Sequence, residues 1–209
     1  MKSIAVFGAT GRTGKPFTEL ALTEGYQVRA LLRTPSKLEI QNPNLQLIQG
    51  DLADAAKVEE TIRGTEAVLL LVGMSPSVRS PADIRSVMTR NVLTAMQKAD
   101  VMRVIRLASF VGAKDEKDKV GFGMKLMQSF YNKNVVQDET ASTNLIKQSN
   151  LDWTIVRNSM IFTSAPKGAY TAGYFGEGKN SVTAGDLAAF ILEELKNGKY
   201  IRQMPFVHN

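Results

Sequence analysis

A chain of 209 residues falls within the size of one domain, because a single core grows to about 250 residues before chains tend to split. Its 44% hydrophobic and 22% charged residues are ordinary for a globular protein, no apolar run reaches the roughly 18 residues of a membrane span, and the lack of cysteine excludes disulfides, thiolate metal sites and cysteine nucleophiles. The net charge of +6 does not mark a nucleic-acid surface: Lys and Arg are scattered except for Arg12, Arg29, Arg33 and Lys37, a group suited to the phosphates of one small molecule, and no nucleic-acid-binding signature accompanies it.

Strand-like and helix-like segments alternate from the N-terminus, which predicts an α/β fold with a parallel sheet. Residues 3–7 (SIAVF) form a short apolar strand, and Phe17, Leu20 and Ala21 carry helical spacing over 13–24. A strand at 27–32 follows Gly25, and another is expected at 45–49. Asp54 then caps a helix running to about residue 63. The near-continuous apolar run 66–72 reads as a central strand covered on both faces. Ser80 and Pro81 suit the cap and first position of a long helix, with Asp83 at its positive end. A fifth strand is expected at 102–108, helices over about 119–131 and 135–149, and a sixth strand at 152–157. Segment 163–182 is rich in Gly, Tyr, Lys and Ser and has no clear period. Thr183 with Asp186 caps a last helix over 185–197, and a short strand closes the chain near 203–207. The whole predicts one Rossmann-type doubly wound parallel sheet over residues 1–209, with helices on both faces. No secretory signal is evident, so the expected setting is cytoplasmic.

The most specific motif is GATGRTG at 8–14, which leaves a strand and opens a helix. Gly8 permits the tight turn, Gly11 lets backbone approach a pyrophosphate, and Gly14 allows close packing of helix on strand. The helix start then offers free N–H groups and partial positive charge to an anion.

GATGRTG, followed by LLRTPSKL, GDLAD, LLLVG, LASF and SNLDWTIVR, resembles the atypical short-chain dehydrogenases/reductases, in particular their NmrA-like NAD(P)H-binding branch. The layout is also similar to that of flavin reductases of the biliverdin-IXβ reductase kind. The resemblance spans nearly the whole chain. It implies a dinucleotide held by the turn residues Gly8, Thr10, Gly11, Arg12, Thr13 and Gly14. It implies Asp51 and Leu52 against the adenine, and Leu71, Val72 and Gly73 beneath the ribose and pyrophosphate. Ala108 and Ser109 would face the nicotinamide end, and the segment Arg157, Asn158, Ser159 and Met160 would turn over it. Relatives usually carry Pro where this chain has Asn158.

Cofactor choice follows from charge. NAD-specific sites place an acid about 20 residues beyond the glycines to hold the ribose 2′-hydroxyl. This chain has Arg33 there and no acid before Glu39. A guanidinium pairs with a 2′-phosphate and stacks on adenine, and Arg12 and Lys37 add charge, so NADP(H) is expected over NAD(H). The competing reading of Arg33 is an exposed strand-end residue.

The chemistry is constrained by what is missing. Carbonyl reduction by typical family members uses a Tyr-x-x-x-Lys pair, and none of the five tyrosines has Lys four residues later. Ser109 is the catalytic candidate. Its hydroxyl either bonds a substrate or ring carbonyl or satisfies loop backbone. The single His208 is penultimate, so no His-based triad or metal cluster is expected. Asp138 and Glu139 read as a solvated helix face. The acceptor expected is therefore a small planar molecule of the flavin or quinone class, whose reduction needs positioning more than acid catalysis. Its site would be built from about 109–131 and 158–182, with Phe122, Met124, Met127, Phe130 and Tyr131 either walling an apolar pocket or serving as core. The alternative is a non-catalytic NmrA-like sensor that binds NADP(H) and acts through a protein partner. Either way a monomer or small homo-oligomer is expected.

Overall fold

A computed structural model describes residues 2–73, 83–121, 132–176 and 180–209. Strands β1 (Ser3–Phe7), β2 (Gln27–Leu32), β3 (Leu45–Gln49), β4 (Ala67–Leu70), β5 (Arg103–Ser109) and β6 (Asp152–Asn158) lie parallel in the order β3-β2-β1-β4-β5-β6. The chain leaves β1 toward one edge and returns at β4 toward the other. β1 therefore stands at the switch point where open α/β sheets take ligands beyond their strand ends.

The central strands β1 and β4 are apolar on both faces because helices cover both. α1 (Gly14–Thr23) and α5 (Ala184–Asn197) bring Phe17, Ala21, Leu187 and Ile191 onto Ile4, Val6, Leu69 and Ile105. On the other face α2 (Ala55–Ile62), α3 (Ile84–Lys98) and α4 (Lys133–Lys147) bring Val58, Ile62, Val92, Met96 and Ile146 onto Ala5, Phe7, Val68 and Val104. The period-2 alternation of β1 sends its residues to these two cores in turn.

Local chemistry sets the helix starts. The Asp54 side chain accepts from the N–H groups of Ala56 and Lys57, and Thr183 accepts from Asp186, as the sequence predicts. The expected start of α3 at Ser80 and Pro81 lies outside the described residues, as do residues 122–131 of the helix expected over 119–131 and the apolar set from Phe122 to Tyr131. Residues 119–121 are not helical.

Segment 158–182 is more ordered than its composition predicts. It holds β7 (Met160–Phe162), β8 (Thr171–Gly173) and the start of β9 (Ser181–Thr183). β7 and β9 form a small parallel ladder, while β8 pairs antiparallel with β10 (Phe206–His208), which extends the main sheet beyond β6. Phe110 stacks on Phe175 at 4.3 Å and both meet the edge of Phe206, fastening the loop after β5 to this extension.

Asp186 ties the region together. It accepts from the N–H groups of Lys167 and Gly168, from the Thr183 hydroxyl and from the Asn209 carboxamide. Burial works to raise its pKa, but these donors more than reverse that and leave the carboxyl below its ordinary value. A folded pKa below the unfolded one means that its stabilisation is full above about pH 3.8 and is lost as pH falls through the depressed folded value. Asp186→Asn is expected to flatten the acid limb of a stability-versus-pH curve, measured by thermal unfolding. An unchanged acid limb would remove Asp186 as its source.

Candidate functional site

The glycine turn is built by close approach. Gly8 has φ +92°, and a Cβ there would lie 2.8 Å from the backbone carbonyl of Leu71 at the exit of β4. The Gly11 N–H bonds the Gly8 carbonyl at 2.9 Å, and a Cβ on Gly14 would lie 2.0 Å from that same oxygen. Glycine is thus required at both ends of the motif. α1 starts here with no side-chain cap and no acid in its first turn. The hydroxyl of its N-cap residue Thr13 is buried without a hydrogen-bond partner. Buried polar atoms are rarely orphaned, and a helix start left bare carries partial positive charge. The arrangement fits a phosphate-bearing ligand.

Beyond β2 the side chains of Arg33 and Lys37 are exposed and, among the described residues, have no hydrogen-bond or ion-pair partner. Arg29 does not belong with them, contrary to the sequence reading. Its guanidinium donates to the carbonyls of Glu60 and Thr61 at the end of α2 and to Gln46, so it is a structural cation at a negative helix end. Arg12 is exposed and donates to the Ile161 carbonyl of β7 at 3.4 Å, which brings the glycine turn beside segment 158–162.

The remaining expected contacts line the same strand ends. Asp51 accepts from the Ala53 N–H, and the Leu52 carbonyl accepts from Asn91 of α3, fixing the turn after β3. Leu71 continues the β4 ladder by donating to Phe7. Val72 is half-buried and Gly73 exposed, with open space where a Cβ would stand. Ala108 is buried and Ser109 half-buried. The Ser109 hydroxyl accepts from the Val111 N–H at 3.4 Å, while its carbonyl takes the N–H groups of Gly112 and Ala113. Of the two readings of Ser109, the loop-satisfying contact is present, and because the hydroxyl accepts in it, its proton stays available for another acceptor. β6 runs through Asn158, the register partner of Ser109, and the Asn158 carboxamide donates to Ser159. Thr10 sits exposed at the tip of the turn, and Met160 is 55% exposed.

Several residues escaped the sequence reading. Phe162 projects as Met160 does, 51% exposed, and the alternation of β7 puts both on one face. The Asn180 carbonyl holds the N–H of Met160, and its side-chain oxygen is buried without a partner. Arg157, expected with Asn158 over the nicotinamide end, is instead fully buried and donates to Asp118, Ala113 and Met204, while Asp118 also accepts from the Phe175 N–H. Tyr170 donates to Glu193; burial first and then this carboxylate push its pKa to about 12, so it stays a phenol.

Asp138 and Glu139 overturn the expectation of a solvated face: they are 4% and 3% exposed. Asp138 accepts from the N–H groups of Arg85 and Ser86 and from the Ser86 hydroxyl, capping α3 from a different helix. Glu139 pairs with Arg106 at 2.9 Å and with Arg85 at 3.4 Å, and it lies so close to Gly112 that a Cβ there would meet it at 2.3 Å. This network joins the start of α3 to the loop after Ser109.

A family profile described as NAD(P)H-binding matches residues 8–198, from the first glycine of the turn to the end of α5. The chain belongs to this family. Among curated proteins it is similar to the photosystem II assembly factor Ycf39 of Cyanophora paradoxa, 26% identical over 156 residues, which are 74% of this chain and 44% of that protein. It is also similar to a (4-alkanoyl-5-oxo-2,5-dihydrofuran-3-yl)methyl phosphate reductase of Streptomyces griseus, 29% identical over 156 residues, 74% of this chain and 46% of that protein. The chain thus spans less than half the length of either. A short-chain dehydrogenase/reductase of Veillonella parvula solved in complex with NADP shares the fold at TM-score 0.81 and 18% identity, covering 100% of this chain and 94% of that one. No helix among the described residues is long and apolar enough to cross a membrane.

Proposed function

We propose that this protein is a cytoplasmic NADPH-dependent oxidoreductase that passes hydride to a flavin, a quinone or a similar planar acceptor. The observation that carries this reading is the pairing of a bare, glycine-lined helix start with two cations just past β2, Arg33 and Lys37, that have no partner among the described residues. A pyrophosphate suits the first and a ribose 2′-phosphate the second. The turn Gly8, Thr10, Gly11, Arg12, Thr13 and Gly14 would hold the pyrophosphate. Asp51 and Leu52 would flank the adenine, Leu71, Val72 and Gly73 the ribose, and Ala108, Asn158, Ser159 and Met160 the nicotinamide end. When bound, the reduced nicotinamide supplies a hydride. Asn158 and the Ser109 hydroxyl would orient the reacting rings by hydrogen bonds. Met160 and Phe162, with the rest of a substrate side drawn from 109–131 and 158–182, would cover them and exclude water. With no Tyr-x-x-x-Lys pair in the sequence, an acceptor that draws its proton from water suits the site better than a ketone. The reductase among the relatives supports reduction as the general chemistry.

A second reading, a non-catalytic NADP(H) sensor acting through a protein partner, is favoured by the similarity to an assembly factor and by the same missing pair. Titration of NADPH and NADH, followed by turnover with FMN and a quinone panel, separates the two. Saturable NADPH oxidation supports the reductase; tight binding with no oxidation above background overturns it in favour of the sensor. Arg33→Ala is expected to weaken NADPH binding about 10- to 100-fold, the worth of a charge-assisted hydrogen bond, while NADH binding barely changes. Equal NADPH affinity in the variant would remove Arg33 from the 2′-phosphate site.

A further inference from the structure

A cavity of about 480 Å³ opens on the α4 face of the sheet, beside β6 and the β10–β8 extension. Its volume is that of a small-molecule site. Trp153 in its wall lies five residues before Asn158 along β6, roughly 16 Å at the rise of a strand, so the cavity stands away from the cofactor edge.

The lining combines flat aromatic surface with positive charge. Trp153 and Tyr174 contribute aromatic side chains, Lys117, Lys147 and Arg202 contribute three cations, and Asp115 is the one acid among the described lining residues. Lys147, in the last turn of α4, has no partner among the described residues. The Arg202 guanidinium makes one hydrogen bond among them, to the Asn150 carbonyl, and keeps its other donors for a ligand. Its backbone sits at φ +56°, a left-handed conformation unfavourable for an arginine, and is pinned there by a hydrogen bond to the Trp153 carbonyl. Lys117 donates to the Tyr174 hydroxyl and stands 5.1 Å from that ring's centroid.

Trp153 adds a donor. It is 7% exposed, and its indole N–H bonds no described residue but is not sealed from solvent. A solvent-open N–H, two cations with donors to spare and aromatic side chains together suit a flat ring that bears an anionic, acceptor-rich group.

We propose that this cavity is a second ligand site, distinct from the dinucleotide site, for a small aromatic carboxylate or phosphate. The cations pair with the anionic group while the ring lies against Trp153. Nothing in this assignment depends on the reductase reading.

Trp153 is the only tryptophan, so its emission reports this cavity alone. Phenyl phosphate is titrated into the full chain and followed by tryptophan fluorescence, with and without saturating NADP+. A saturable change that is unaffected by NADP+ is expected, with benzyl alcohol and inorganic phosphate each far weaker. The double variant Lys147→Ala/Arg202→Gly removes two exposed cations and relieves the left-handed strain, so it should fold while binding phenyl phosphate at least about tenfold more weakly. No saturable change overturns the proposal. So does binding that survives in the double variant, that benzyl alcohol matches, or that NADP+ abolishes, the last placing the probe at the cofactor edge.

Discussion

Gly14→Ala is expected to abolish measurable NADPH binding and to destabilise the fold by about 3 kcal/mol, the upper range for overpacking. The new Cβ would lie 2.0 Å from the Gly8 carbonyl oxygen and 2.8 Å from its carbon, both backbone atoms, so no side-chain rotation relieves the contact. Relief requires α1 to move away from β1. That movement opens the turn closed by the Gly11–Gly8 hydrogen bond and misaligns the bare N–H groups of the helix start. Gly11→Ala is the natural control, because its Cβ would sit at 3.1 Å from the same oxygen, a contact that a small shift relieves. It should fold nearly normally and lose affinity only through crowding of the ligand. Calorimetric titration with NADPH and a denaturation curve for each variant give both quantities. Wild-type affinity in Gly14→Ala would refute the placement of the cofactor on this turn.

Glu139→Ala is expected to cost about 3–5 kcal/mol, the loss measured when one partner of a buried ion pair is removed. Arg106 is 4% exposed, and burial, the foremost influence on it, pulls its pKa below the ordinary arginine value against the opposing pull of Glu139. Without Glu139, Arg106 keeps its charge, and Thr143 and the distant Asp138 must compensate it alone. Glu139→Gln keeps the shape and one acceptor oxygen for Arg106, though its amide nitrogen cannot accept from Arg85, and it should cost less than alanine, which separates lost charge from lost packing. Both are read by chemical denaturation. A cost below about 1 kcal/mol for the alanine variant would show that the pair is effectively solvated.

The parts of this protein that sequence reveals are those decided within a few residues. The near-continuous apolar run around β4, the cap at Asp54 and the cap at Thr183 each depend on neighbours in the chain, and each stands where expected. The glycine turn is legible for the same reason, since its strand, turn and helix are contiguous. What was misread depends on distant partners. Asp138 and Glu139 sit on an apparently polar helix face, and only the arrival of Arg85 and Arg106 makes burial tolerable there. Arg29 reads as a phosphate ligand in the sequence, but its partners are the carbonyls at the end of α2. β7, β8 and β9 have three residues each, too short for a period to show, and exist because a partner strand lies alongside. The separation of Met160 and Phe162 from the core likewise comes from the ladder and not from their hydrophobicity.

The capping of α3 has a consequence for how the molecule comes into being. A carboxylate 53 residues downstream serves the N–H of Arg85, and among the described residues no local side chain caps this end of the helix. While the chain is being synthesised, the amides of Arg85 and Ser86 lack this acceptor until β5 and α4 have followed. The start of α3 is therefore expected to become rigid only when α4 docks. A ribosome-bound chain truncated before Asp138 should protect the amides of β1 and β4 from hydrogen exchange and leave those of Arg85 and Ser86 open.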